Sequence, residues 1–198
     1  MNRSLWFVVL MLGLVFAQGF AAAADSIISP GDWTPVVGAW EISGNAYKNT
    51  DTTSNNTIAS AAVEQSGKEI TIQWTCTFGP TDFSMGPAAG VHFLASEADS
   101  PLRGVSYLVF QDQNFIRLYK AFGSLMKTGD LPTPPVEPGQ TFTYKVVFNT
   151  ETGLMTVYRD GQEMGTYLDA SPIQSGGYIS LRTNGSVAEF KDVSVSVK

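Results

Sequence analysis

The sequence predicts an all-β chain, a sandwich or barrel of short strands, and three observations carry that prediction. Runs of β-branched and aromatic residues alternate with polar ones and are separated by Gly, Pro, Asn and Asp. No window of a dozen residues carries a capped apolar stripe of helical period. Hydrophobic residues make up 43% of the 198 positions and aromatics 12%, against 15% charged, which is enough apolar mass for a packed core and too much for a disordered chain. At roughly 150 residues per domain this length fits one domain.

The chain opens with Arg3 and an apolar run over 5–17, broken at Gln18-Gly19 and followed by Ala21-Ala22-Ala23-Ala24. A basic start, an apolar stretch too short to span a bilayer, and small residues three and one positions before a cut describe a secretory signal over residues 1–24. Asp25 then begins a single mature domain, 25–198, either periplasmic or secreted. No cysteine follows the apolar run, which excludes lipid attachment there, and no later segment approaches membrane length.

The predicted strands follow in order. Segments 33–37, 39–43 and 57–63 precede 69–78, where Ile70, Ile72, Trp74, Cys76 and Phe78 alternate with Thr71, Gln73, Thr75 and Thr77. Segments 90–95, 105–111 and 114–119 come next, then 141–149, in which Phe142, Tyr144, Val146 and Phe148 share one face. Asp160-Gly161 joins 153–159 to 162–168, a hairpin signal because both turn positions need positive φ. Segment 178–183 precedes the last strand, whose phase slips near Lys191-Asp192 in the manner of a β-bulge. Residues 49–56, 79–90 and 128–139 read as loops.

Composition excludes several functions. Twelve basic residues against 18 acidic ones give a net charge of −6, with no Lys/Arg run, so the chain lacks the basic face that nucleic acid requires. One cysteine and one histidine exclude a disulfide framework, a cysteine-based zinc site and a His-rich metal site. The alternation of 69–78 places Cys76 on an apolar face, where an exported protein is expected to bury a free thiol. Asn55-Asn56-Thr57 and Asn184-Gly185-Ser186 fit glycosylation sequons.

Several pieces resemble the concanavalin A-like lectin/glucanase group, whose members are two-sheet jelly rolls. Trp33 with Gly38-Ala39-Trp40 is similar to its W-x-x-x-x-G-x-W-x-x-x-x-G opening, with Gly44 one position short of the last glycine. Ala89-Gly90-Val91-His92-Phe93, Val157-Tyr158-Arg159-Asp160-Gly161, and Gly177-Tyr178-Ile179-Ser180-Leu181 with Phe190-Lys191-Asp192-Val193-Ser194-Val195 resemble its later strands. The resemblance covers most of 32–198 and is nearest in style to carbohydrate-binding modules and to domains named for 3-keto-disaccharide hydrolysis. It implies a concanavalin A-like jelly roll and a structural calcium at Asp192, with Gly38 and Glu41 as contributors, since hard oxygen ligands suit that ion. Fold alone assigns no function.

Glucanases of this fold use an E-x-D-x-x-E strand motif that brackets a glycosidic bond with two carboxylates. Glu97-Ala98-Asp99 is the best match, but the third acid is missing and Pro101 falls where a central strand needs its N–H. No catalytic residue is therefore assigned. A sugar-binding surface asks for planar aromatics against the C–H face of a pyranose and for Arg, Asn, Asp and Gln against its hydroxyls. Alternation puts Phe115, Arg117 and Tyr119 on one face, opposite Ile116 and Leu118, and His92, Tyr107, Gln111, Arg117, Tyr119, Tyr178 and Arg182 are expected to line one groove. Arg117 is expected on the surface, with its fork free for ligand. The expected function is a secreted carbohydrate-binding, lectin-like domain without catalysis. The alternatives are a glycoside or 3-keto-disaccharide hydrolase and a structural or adhesion module that binds protein.

Overall fold

The structure, a computed structural model, describes residues 24–198 apart from positions 83 and 85, so the signal predicted over 1–24 lies outside the described residues except for Ala24. Fifteen strands follow one another: β1 (Ala24–Ile28), β2 (Thr34–Val37), β3 (Trp40–Ser43), β4 (Ala46–Asn49), β5 (Ile58–Ser66), β6 (Glu69–Thr81), β7 (Ala89–Ala95), β8 (Ser106–Gln111), β9 (Phe115–Ala121), β10 (Leu125–Pro132), β11 (Thr141–Asn149), β12 (Leu154–Arg159), β13 (Gln162–Leu168), β14 (Ser175–Thr183) and β15 (Ser186–Val197). They form two antiparallel sheets. One has the order β13-β12-β11-β6-β15-β4-β3, with β1 also on β15; the other runs β10-β9-β8-β7-β14-β5-β2.

The period-2 pattern explains how the sheets face each other. Ile70, Ile72, Trp74, Cys76 and Phe78 of β6 are all buried, as are Tyr144, Val146 and Phe148 of β11 beside it. Val91 and Phe93 of β7, Val109 of β8, Ile116 and Leu118 of β9, and Ile179 and Leu181 of β14 meet them from the other sheet. Burying each such side chain contributes roughly 1.5–3 kcal/mol. Trp74 stacks on Tyr144 at 5.2 Å between ring centroids, and Tyr107 meets Phe148 at 4.8 Å.

Two local expectations are met. Asp160 and Gly161 have φ of +50° and +80° in the β12–β13 hairpin. β15 shifts register against β6 between Lys191 and Ser194, with Asp192 at φ +54°. Three strands fall outside the predicted set. β1 pairs with β15, and β4 is a four-residue strand entered through a turn at Gly44 (φ +62°). β10 occupies part of the stretch read as a loop: it is an edge strand with a register shift between Lys127 and Gly129, which breaks the alternation, and it ends at Pro132, tolerable only at an edge.

Cys76 lies between Phe142 and Phe190 in register and is 1% exposed. Burial, with a smaller contribution from Glu189, pushes its thiol well above the ordinary range, so little nucleophilic thiolate forms at neutral pH. A thiol reagent is expected to label Cys76 only when denaturant opens the sandwich; rapid labelling of the native protein counts against this placement.

Candidate functional site

The outer face of the seven-stranded sheet carries two rows of side chains, set by register. One runs Ser60, Ser180, His92, Leu108, Tyr119 across β5, β14, β7, β8 and β9. The next runs Arg182, Gly90, Phe110, Arg117. Gly90 is required there by proximity: a Cβ on it would stand 2.2 Å from the Val109 carbonyl and 2.7 Å from Phe110 Cα. The Arg182 guanidinium accordingly lies over the Phe110 ring, at 5.5 Å from the centroid.

The β7–β8 connection, residues 96–105, folds back over part of this face. Arg103 latches it down. The residue is fully buried in the left-handed region, at φ +59°, and its guanidinium donates to Ser180 Oγ (3.1 Å), Asn56 Oδ1 (2.7 Å) and the carbonyls of Pro101 (2.8 Å), Thr57 (2.7 Å) and Leu181 (3.4 Å). Ser60 Oγ donates to the Ala98 carbonyl at 2.5 Å, and Asn56 Nδ2 to that of Pro101 at 2.9 Å. Gly104, at φ +65°, completes the turn; a Cβ there would meet Ser96 Oγ at 2.1 Å.

Beyond the loop the face opens into a recess of about 240 Å³ lined by Gly86, Ala88, Phe110, Asp112, Arg117, Tyr119 and Asn184. Phe110 is its floor, packed with Ala88, Leu108 and Tyr119. Arg117 is ion-paired with Asp112 through Nε and with Asp130 through Nη1 at 3.4 Å. That pairing, the hydrogen bond to Asp112 first, holds the guanidinium pKa above its usual value. Asp112 is itself set by the β8–β9 turn, where the Asn114 and Phe115 amides donate to its Oδ1 at 3.2 and 3.0 Å. Arg182 is different. Its one hydrogen bond is to the Asn55 carbonyl, at 3.5 Å, and Nε is shielded from water without a partner. Asn184 Oδ1 is likewise buried and unpaired.

Of the seven predicted groove residues, Arg117 and Tyr119 line this recess, and Arg182 stands beside it, stacked on the Phe110 ring. Tyr178 faces outward elsewhere, across the loop, in a shallower depression with Ser60, Glu97, Ala98 and Asp99. His92 sits on the expected face but is completely covered. Tyr107 and Gln111 are corrections: both point between the sheets, because their polar tips are satisfied there. The Tyr107 hydroxyl donates to Asp169 Oδ2 at 2.6 Å, a carboxylate also held by Lys120 Nζ at 2.6 Å. Gln111 Oε1 accepts from the Tyr144 hydroxyl at 3.2 Å, while Nε2 donates to the Asp112 carbonyl at 2.6 Å. Leu108 and Phe110 take the outward positions on β8 instead. A second correction concerns Arg117, whose fork is tied to two carboxylates rather than free. Glu97 and Asp99 are exposed loop residues, as expected. Sequence reasoning passed over Phe110, Asp112, Asn184 and Arg103. The Asp-x-Asn turn at 112–114 and the strand parity of Phe110 were available signals, whereas nothing local marks Arg103.

For calcium, Asp192 is exposed in its bulge and Glu41 lies near Lys48, at 3.9 Å. Among the described residues no three His, Cys, Asp or Glu side chains converge to hold a metal. The acidic side chains present do not by themselves form a cation cage at Asp192.

Two outcomes follow from the latch and the histidine beneath it. Replacing Arg103 with Met removes five hydrogen bonds and strands the Thr57 carbonyl in the interior; urea unfolding is expected to show a loss of about 3 kcal/mol, and a change inside experimental scatter would discount the latch. His92 Nδ1 is 3.0 Å from Ser106 Oγ, whose own proton goes to the Leu102 carbonyl at 2.9 Å, so Nδ1 is the protonated nitrogen and Nε2 is bare. Burial, then the charges of Arg103 and Arg182, keep the ring neutral well below its ordinary pKa. The unfolded chain therefore binds a proton at His92 that the folded one refuses, and stability falls as pH drops below about 6.5, by up to about 1.4 kcal/mol per unit. Denaturant midpoints between roughly pH 6.5 and 5 should slope accordingly, and His92→Gln should flatten the slope; an unchanged slope in the variant assigns it elsewhere.

Solved structures share this architecture. The carbohydrate-binding module CBM66 from Bacillus subtilis matches with a TM-score of 0.66 at 19% identity, over 82% of this chain and 93% of that one. A Bacillus subtilis protein of unknown function with a galectin-like fold matches at 0.62 and 13% identity, over 85% and 91%. The carbohydrate recognition domain of Emp47p matches at 0.58 and 14%, over 85% and 89%. No protein-family model and no curated protein matches the sequence. At these identities the likeness is one of fold, and the chain is a two-sheet jelly roll with the concanavalin A-like lectin/glucanase fold.

Proposed function

We propose that this protein is an exported carbohydrate-binding domain that acts without catalysis, and that the recess over Phe110 holds one sugar ring. One observation carries the reading: a shielded, unpaired donor on Arg182 and a shielded, unpaired acceptor on Asn184 flank an aromatic-floored recess. Unpaired polar groups out of water cost about 1–3 kcal/mol each, and a vicinal pair of hydroxyls satisfies a donor and an acceptor together. The recess is smaller than the roughly 300–1,000 Å³ typical of drug-sized ligands, which suits a single ring. Tyr119 offers it flat apolar surface beside the largely covered Phe110 ring. Solved neighbours that include a carbohydrate-binding module and a carbohydrate recognition domain agree with this reading. The signal segment over 1–24 supports export, and the lack of a paired-acid motif supports binding over hydrolysis.

A glycan array followed by titration calorimetry on the best ligand tests it. Tyr119→Ala is expected to weaken binding by about 1–3 kcal/mol, the range for losing an aromatic anchor. Tyr158→Ala, which truncates an aromatic on the other sheet beside Lys145, should bind like the parent. Equal binding by all three proteins puts the site elsewhere, and glycoside turnover abolished by Asp99→Asn would replace binding with hydrolysis.

A further inference from the structure

The recess lies in an unusual electrostatic setting for a chain of net charge −6. The charge of Arg182 reaches Arg103, and neither forms an ion pair with a carboxylate: Arg103 is spent on carbonyls, an amide and a hydroxyl, and the Arg182 guanidinium has only its long contact to Asn55. The seven ion pairs among the described residues leave both out. Burial, reinforced by Arg182, draws the Arg103 guanidinium down to about 9, and His92 between them stays neutral. A buried cation without a counter-ion is costly, and such groups are ordinarily paired. At the recess Arg117 is neutralised by Asp112 and the second carboxylate on it, Asp130, is taken up by Lys127 at 2.8 Å, so Arg182 leaves one positive charge over.

Resting on the reading of this recess as a sugar site, we infer that its ligand is an acidic sugar, whose single carboxylate pairs with the Arg182 guanidinium while its ring lies against Tyr119. A carboxylate matches the planar guanidinium fork with two parallel hydrogen bonds, which the two Nη nitrogens of Arg182 would donate. Its charge of one equals the excess at the recess, whereas a dianion would leave a negative charge beside Asp112. Asn184 Oδ1 accepts from a ring hydroxyl in the same arrangement. Gly90 keeps the guanidinium in place, since only an absent side chain lets Arg182 cross β7 to reach Phe110.

Matched polymers test the inference on the protein as it stands. Polygalacturonate and alginate supply carboxylated rings, fully methyl-esterified polygalacturonate the same ring without charge, and dextran sulfate a sulfated one. At one fixed ionic strength at least one carboxylated polymer is expected to bind tenfold or more tighter than the ester and the sulfate. Arg182→Gln should erase that preference with little loss of melting temperature, and Arg182→Lys, which keeps the charge without the fork, should fall between. The comparison of acid with ester needs no variant, so a misfolded Arg182→Gln does not shelter the inference. Equal binding of acid and ester, preference for the sulfate, or a preference that survives Arg182→Gln overturns the acidic-sugar assignment and leaves a neutral-sugar site standing. Binding to no polymer here and to no glycan on the array overturns the sugar site itself.

Discussion

The outer face of the seven-stranded sheet depends on one buried guanidinium. Arg103 reaches through the sheet surface to carbonyls on both sides of the β14–β5 seam and draws the 96–105 loop with it. Five donors in a rigid plane suit that role, because carbonyls at several directions are satisfied by one side chain. The residue accepts a left-handed backbone, a cost of order 1–2 kcal/mol that persists only where the surroundings over-determine it. Without the latch His92, Ser180 and Ser60 would form an open polar strip; with it they are interior, and the face divides into the Phe110 recess and the Tyr178 depression.

The same latch sets the electrostatics. Burial beneath the loop, with the charges of Arg103 and Arg182 added to it, keeps His92 neutral, and burial lowers the Arg182 pKa as well. Arg117, only one strand pair away in the same row, has the opposite character because the β8–β9 turn presents Asp112 to it. Two arginines of one row thus do different things. One is a strut that shapes the recess wall, and the other is an unsatisfied donor at its edge. Their difference comes from which carboxylates the turns deliver, since both stand on regular strands of the same sheet.

Strand parity was legible on most of the strands that lie inside their sheets. The alternation of β6, β9, β11 and β14 named the buried residues correctly, as did the Asp160-Gly161 turn and the slip at Asp192, because a period of two with one dry face is a strong local constraint. It failed on β8 for a physical reason. Tyr107 and Gln111 have polar tips, and polarity was read as outward; the interior offered Asp169 to one and Tyr144 to the other, so burial left nothing unpaired. β10 escaped notice because a half-solvated edge strand needs no alternation, and β4 because four residues are too few to show a period.

Sequence by itself therefore determined the fold class, the core faces of the central strands, the burial of Cys76 and the presence of Arg117, Tyr119 and Arg182 on one outer surface. Each rests on neighbours within a few residues or on a regular period. Tertiary structure decided which of those side chains remain accessible and which carry free charge. Those properties turn on contacts between residues far apart in the chain, such as Arg103 with Leu181, Asn56 with Pro101 and Tyr107 with Asp169. A hydrogen bond across that separation leaves no periodic trace, so only the folded chain reveals it.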